Sequence, residues 1–375
     1  MKKKEYCSLG IMSGTSLDGL DFSLIKTDGI SKIQELFNEY FKFNIRFKNE
    51  IKSLIWKFNK FDARKIQNSE EFKVLNKRFS ELVIKKTKKF LLKHAIKTSS
   101  VDVIGVHGNT MLHNPKKGIS IQLGDPMYMS SELNVKIVSS FRDEDLLNNG
   151  QGAPLVPIYH QIRFAEKNRN IMVVNIGGIA NFSFLIGKKK LLASDIGPGN
   201  KLIDEYCNLN LNCDFDKNGH FSSKGVLIPD LIKSWKKKRF LKSKLPISYD
   251  NSFFRVKDYV KTGLKNHFDI LRSLTFFSAY IISCVSLKIN ARIDKWIFTG
   301  GGIKNHTLMK DLNSLLGNKI VESSLTYDLD PFFIESNAFA FISVRTLKKL
   351  PSSFPSTTGC KKPSVSGNIY ISDRS

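Results

Sequence analysis

The chain has 375 residues, more than one hydrophobic core usually serves, so two domains with a ligand cleft between them are expected. Its 41% hydrophobic and 25% charged residues exclude wholesale disorder. The formal net charge of +25 would suit acidic partners such as nucleic acid, but Lys and Arg are scattered through segments such as Lys85 to Lys89 and Lys236 to Arg239, with no helix-turn-helix, zinc-finger or base-stacking signature beside them.

Five cysteines, an odd number with no C-x-x-C pair, indicate neither a disulfide framework nor a zinc site. The opening lysines could begin a signal peptide, yet Ser13, Thr15, Ser16, Asp18 and Asp21 interrupt the apolar stretch that follows. No run reaches the roughly 18 uninterrupted apolar residues of a membrane helix. A cytoplasmic protein that uses no membrane is expected.

In chain order, Tyr6 to Met12 and Leu20 to Ile25 read as two strands of a hairpin with a polar Gly/Ser/Thr tip. Residues 48 to 97 place Phe72, Leu75, Phe79, Leu82, Val83 and Phe90 at helical spacing among solvated charges. Strands follow at Val101 to Val106, ending in His107-Gly108-Asn109-Thr110, then at Ile119 to Leu123 and at Val135 to Ser139, which leads to Phe141-Arg142. The Gly/Pro-rich segment Asn148 to Pro157 marks the passage between domains.

The second half repeats the opening plan: strand Ile171 to Ile176, a Gly177-Gly178 turn, and strand Asn181 to Ile186. Asp195 follows another strand and precedes Gly197-Pro198-Gly199-Asn200 at a helix start. Ser273 to Ile289 reads as a long apolar helix, Lys295 to Phe298 as a strand, and Gly300-Gly301-Gly302 as a loop before a further helix. The polar tail from Pro351 is expected to form an irregular strap on the first domain. The expected domains are residues 1–160, joined by 351–375, and residues 161–350.

Four motifs carry chemistry. In Met12-Ser13-Gly14-Thr15-Ser16-Leu17-Asp18-Gly19-Leu20, small residues let amides and hydroxyls approach phosphate oxygens, and Asp18 is a candidate ligand for Mg²⁺. Gly177-Gly178 would be an ordinary hairpin turn alone, but paired with the first motif it reads as a second phosphate-facing tip. Gly300-Gly301-Gly302 with Asn305 sits where a helix N-terminus meets a nucleotide, the alternative being a tight strand-to-helix turn. Asp195 is placed to take a proton from a nucleophile near phosphate, the alternative being a helix N-cap. His107, Asn109, Arg142, Asp145 and Glu335 are further polar candidates, each with a structural alternative such as a satisfied buried histidine or a glutamate serving a helix dipole.

The strings GIMSGTSLDGLD, VHGNT, IQLGDP, GQGAPLVP, NIGGIANFS, DIGPGNKLID, FDKNGHFSSKG, SLTFFSA, FTGGGIKNHTLM, FIESNAFAFIS and FPSTTG together resemble the anhydro-N-acetylmuramic acid kinase family. The resemblance implies a duplicated actin-like ATPase (ribonuclease H-like) α/β fold, two domains around an interdomain cleft, and a kinase of cell-wall recycling that uses ATP and Mg²⁺ on 1,6-anhydro-N-acetylmuramic acid. By position, Ser13 to Leu20 resemble the ATP phosphate loop and Asp195 the catalytic base. Gly177, Gly178, Gly300, Gly301, Gly302 and Asn305 fall to the nucleotide. Asp18, His107, Asn109, Arg142 and Glu335 fall to the sugar, and a homodimer is implied. Asn109 departs from the Gln common in relatives, and Pro246 to Asp250 is a loose version of the family segment. The competing readings are another sugar or polyol kinase of the same fold and a basic nucleic-acid-binding protein that retains it.

Overall fold

The computed structural model describes residues 4–14, 17–249, 253–260 and 266–372. Thr15 and Ser16, expected in the phosphate loop, and Asp250 lie outside the described residues. The chain divides into one unit of Met1–Ile162 with Phe333–Ser375 and a second of Arg163–Phe332.

In the first unit, β1 (Tyr6–Met12), β2 (Gly19–Thr27) and β3 (Ile33–Lys42) form an antiparallel meander. Helices α1 (Ile45–Lys60), α2 (Ala63–Gln67) and α3 (Glu70–Lys93) lead to β4 (Val103–Asn114), which lies parallel to β1. Then come β5 (Ile119–Leu123), α4 (Pro126–Leu133), β6 (Ile137–Ser139), α5 (Asp143–Leu147) and α6 (Pro157–Phe164). With β12 (Asn368–Tyr370) from the end of the chain, the sheet order is β12-β6-β4-β1-β2-β3, and β5 pairs with β4.

The second unit repeats this scheme. A meander of β7 (Asn170–Ile176), β8 (Ile179–Ile186) and β9 (Lys190–Pro198) is followed by α7 (Lys201–Asn210), α8 (Pro229–Trp235), α9 (His267–Ser283) and α10 (Val285–Ile289). Strand β10 (Lys295–Thr299) lies parallel to β7, and after α11 (His306–Leu316) strand β11 (Ile320–Ser323) lies parallel to β10. The order β11-β10-β7-β8-β9 therefore matches β6-β4-β1-β2-β3 strand for strand. Three antiparallel strands followed by two parallel ones, occurring twice, is the duplication that the paired glycine-turned hairpins imply.

Helix spacing has clear physical causes. Asn44 and Ser69 cap α1 and α3 by accepting the Phe47 and Phe72 amides, and Glu70 and Glu71 suit the positive end of α3. Phe72, Leu75, Phe79, Val83 and Phe90 form its buried stripe. The segment His267–Ile289 is long and apolar enough to cross a membrane, but Ile270, Leu274, Phe277 and Ile282 bury it in the second unit's core.

The expected boundary near residue 350 moves. Helix α12 (Ile334–Leu347) belongs to the first unit, where it packs on β1, β2 and β4. It is buried nearly all round, its Ser, Asn and Thr residues included, so it has no solvent face to reveal its side in the sequence. Ser8 Oγ donates to the Ala340 carbonyl at 2.8 Å, and the Ser23 and Ser336 hydroxyls meet at 2.6 Å. The tail is also more regular than a strap: after α13 (Pro355–Thr358), β12 (Asn368–Tyr370) pairs antiparallel with β6.

Gly10 allows this packing, since a Cβ there would stand 1.9 Å from the Ser336 carbonyl oxygen. Gly10→Val should cost at least roughly 3 kcal/mol, because β1 or α12 must shift. Urea unfolding measures it, with Gly118→Ala as control: that site is open and only its φ of +63° opposes a side chain. Equal losses for the two would refute the packing argument.

Candidate active site

In the first unit, the β1–β2 tip is held at several points. Leu17 N–H donates to the Gly14 carbonyl at 3.2 Å, and Leu17 takes a left-handed φ of +57°. A branched side chain pays for that conformation, and here its burial in the core compensates. Ser13 Oγ donates to the Gly19 carbonyl at 3.1 Å across the tip. Gly19 is fixed by crowding: a Cβ would lie 2.3 Å from the Phe41 carbonyl. Leu20 is a core residue of β2, so its side chain does not serve a phosphate site.

Asn109 ties this tip to β4, donating from Nδ2 to Ser13 Oγ at 3.0 Å and to the Gly14 carbonyl at 3.1 Å. Asn109→Ala should therefore raise the dissociation constant for ATP about fivefold to tenfold, the effect of one or two lost buried hydrogen bonds, and change sugar affinity much less. Calorimetric titration of both ligands decides, and an unchanged ATP affinity would count against Asn109 as the anchor.

Asp18 lies beyond the turn with a side chain 54% exposed, and its Oδ1 accepts Lys48 Nζ at 2.7 Å. The Asp18 carbonyl accepts the Tyr40 hydroxyl and the Phe43 amide. Lys48 could not be picked out as the partner of Asp18 in the sequence, because one Lys on an amphipathic helix looks like any solvated charge.

His107, Arg142 and Glu335 converge although they come from β4, the start of α5 and the start of α12. His107 lies inside β4, which runs on to Asn114, and not at a strand end. Ile11 pairs with Val106 and Met12 with Gly108, so His107 is the extra residue of a bulge. Gly108 has φ +76° and would bring a Cβ within 2.1 Å of the Leu123 carbonyl. Burial, then the Arg142 charge, push the His107 pKa down to about 3. Burial raises the Glu335 pKa, with Arg142 drawing it partly back. Asp145, fully buried, accepts the Gly152 amide at 2.7 Å and the Thr358 hydroxyl at 2.6 Å, which secures the GQG loop to the FPSTTG segment.

In the second unit, Asp195 lies within β9, not after it, and the N-cap position of α7 belongs to Asn200. The helix-cap alternative for Asp195 is thus excluded. A second bulge sits here: Ala180 pairs with Gly197 and Asn181 with Asp195, which leaves Ile196 as the extra residue. Asp195 Oδ2 accepts the Tyr249 amide at 2.8 Å, and the Asp195 amide donates to the Ile247 carbonyl at 2.9 Å. The residue is 7% exposed. Within the loose segment, residues 247–249 therefore hold Asp195 through their backbone, a role that their side chains could not announce.

The Gly177-Gly178 tip uses its carbonyls internally. Gly177 accepts from Asn200 N–H, and Gly178 accepts from Gly199 and Lys201 N–H, at 2.8–3.0 Å. The amides of Gly199, of the cap residue Asn200 and of Lys201, the first residue of α7, are thus committed to the hairpin. Of the three consecutive glycines, two answer to packing: a Cβ on Gly300 would lie 2.2 Å from Asn175 Oδ1, and one on Gly302 2.2 Å from Ile176 Cγ2. Gly301 is exposed, with only Phe332 near its missing Cβ, and is the member whose smallness the fold does not require. Asn305 caps α11 by accepting the Leu308 amide at 3.0 Å.

A family model described as anhydro-N-acetylmuramic acid kinase matches residues 6–372. The chain belongs to the anhydro-N-acetylmuramic acid kinase family. A relative of that name from Pelagibacter ubique is 36% identical over 97% of this chain and 98% of its own length. Another, from Rhodopseudomonas palustris, is 33% identical over 96% and 98%. Among solved structures, component A of (R)-2-hydroxyglutaryl-CoA dehydratase from Acidaminococcus fermentans is 9% identical with a TM-score of 0.47, over 92% of this chain and 100% of that one. As a member of the anhydro-N-acetylmuramic acid kinase family the chain is a kinase.

Proposed function

We propose that the chain converts 1,6-anhydro-N-acetylmuramic acid, water and ATP to N-acetylmuramic acid 6-phosphate and ADP. The observation that carries this reading is the family match across residues 6–372. Asp195 takes a proton from the water that attacks C1, the C1–O6 bond breaks, and O6 attacks the γ-phosphoryl group as ADP leaves. Tyr249 N–H fixes the rotation of the Asp195 carboxylate, so the base meets the water in one orientation. The tip of residues 13–20 binds phosphate oxygens, with Asn109 keeping Ser13 and Gly14 in place. Gly301 lets the nucleotide approach the backbone ahead of α11. Arg142 and Glu335 contact the sugar.

Asp18 fits a magnesium role, because Mg²⁺ needs only one or two protein carboxylates when phosphates and waters complete its shell. Its exposed carboxylate suits that demand, and among the described residues no cluster of three or more His, Cys, Asp or Glu offers a separate cage. The ion supplies charge neutralisation at the phosphates. Work in the cytoplasm, as a homodimer, belongs to the same reading and rests on the family resemblance.

The test is incubation with Mg-ATP and a panel of sugars that includes the anhydro sugar, with product masses measured. Phosphorylation of the anhydro sugar with gain of one water is expected. Turnover of a different sugar, with the anhydro sugar untouched, would favour the rival sugar-kinase reading.

A further inference from the structure

We propose that His107 is a positioning residue that fixes Arg142 for its contact with the sugar, a step that rests on the function proposed above. Two hydrogen bonds dictate its tautomer. Nδ1 lies 3.0 Å from the Gly108 carbonyl, which can only accept, so Nδ1 carries the proton. Arg142 Nε–H donates to His107 Nε2 at 3.2 Å, and a guanidinium can only donate, so Nε2 carries none. Both bonds are met by one neutral ring. A protonated ring would set an N–H against an N–H, which agrees with a pKa pushed down to about 3 by burial and by Arg142.

The ring itself is held rigidly. The β4 bulge sends His107 out of the ordinary strand alternation, and Gly108 behind it cannot carry a side chain. Phe339 lies against the imidazole with centroids 4.7 Å apart, and Phe141 against Phe339 at 4.9 Å. Arg142 is gripped at a second point, where its Nη1 donates to the Gly152 carbonyl at 3.1 Å. Asp145 places that carbonyl by accepting the Gly152 amide. Two contacts at different nitrogens fix the plane of the guanidinium.

The choice of a neutral acceptor matters chemically. A carboxylate at the position of His107 would orient Arg142 equally well but would cancel its charge. Neutral imidazole orients the guanidinium and leaves the charge to be shared between Glu335 and the substrate. The sequence string VHGNT gives no sign of this, because the partner stands 35 residues away.

The experiment compares His107→Phe, which keeps a ring against Phe339, with His107→Gln, whose Oε1 can accept from Arg142 Nε. His107→Phe should raise the dissociation constant for the anhydro sugar about tenfold or more, the effect of a lost hydrogen bond to a charged group, with ATP affinity unchanged. His107→Gln should recover to within about threefold of the parent. In an Arg142→Ala background, His107→Phe should add less than about twofold. Full additivity in that background, or a folded His107→Gln as impaired as His107→Phe, would overturn the proposal.

A ligand-free measurement separates this from the function itself. Long-range ¹H–¹⁵N spectra of ¹⁵N-histidine protein, assigned by the signal missing in His107→Gln and recorded on protein shown to be folded, should show the Nδ1–H tautomer of His107 unprotonated at pH 6. An Nε2–H tautomer or an imidazolium there would refute the proposal whatever the substrate. If the anhydro sugar is not bound at all, the reading of the substrate falls, while these spectra still decide the His107–Arg142 geometry.

Discussion

Asp195→Asn should lower turnover of the anhydro sugar by at least roughly 10²-fold, the usual effect of a lost general base, while ATP affinity stays nearly unchanged. The substitution keeps the shape and an oxygen for the Tyr249 amide, so the β9 edge and the segment 247–249 should remain joined. What it removes is the ability to take a proton from water. Ring opening and phosphorylation should fall together, because one base starts both. In the parent enzyme, ¹⁸O from labelled water should appear at C1 of the product, and O6 should come from the sugar. A variant that still opens the ring but cannot phosphorylate would mean that another group performs the hydrolysis. Thermal unfolding of the variant guards against a trivial loss, since Asp195 is 7% exposed and a folding defect would lower ATP binding as well.

The second large effect concerns acid. His107, His113 and His160 are all buried, and each has its pKa pushed down to about 3 from the ordinary 6.5, mainly by that burial. Arg142 adds to the shift at His107 and His113. The sign follows from which state binds the proton. The unfolded chain takes up protons below about pH 6.5 and the folded chain does not until about pH 3, so stability is full above the first value and falls through the window between them. By pH 5 each histidine should cost roughly 2 kcal/mol, and the three together about 6. That is comparable to the whole stability of many domains, about 5–15 kcal/mol. Glu335 opposes a small part, because its raised pKa favours proton uptake by the folded state.

Urea midpoints followed from pH 7 to pH 5 should therefore drop steeply, and proton uptake on unfolding at pH 5 should include about three protons from these rings. His160→Phe should remove one of them. If that variant does not fold, the direct proton count in the parent still decides. An uptake near zero would mean that the histidines are charged or solvated in the folded protein.

The sequence by itself determined a good deal. Glycine-turned hairpins at both halves, residues 12–19 and 177–178, disclosed a duplicated α/β plan, because a polar tip between two apolar runs has few other readings. Helical spacing in 48–97 exposed the amphipathic α1 and α3, whose solvent faces carry the pattern. Long strings such as DIGPGNKLID identified the family and with it the residues to inspect.

Only the tertiary structure decided the rest, for reasons of distance and of backbone. Helix α12 joined the first unit because Gly10 and Gly105 admit it onto β1 and β4, a contact spanning more than 200 residues that no local pattern encodes. Tyr249 holds Asp195 with a main-chain amide, which every residue except proline possesses, so its identity carried no signal. The glycines at 300 and 302 proved to be packing residues, leaving Gly301 as the open position, because a sequence shows that a side chain is missing but not what would have struck it. The bulges that leave His107 and Ile196, the neighbour of Asp195, without strand partners depend on pairing with β1 and β8, and register between strands is a property of the sheet that neither strand specifies alone.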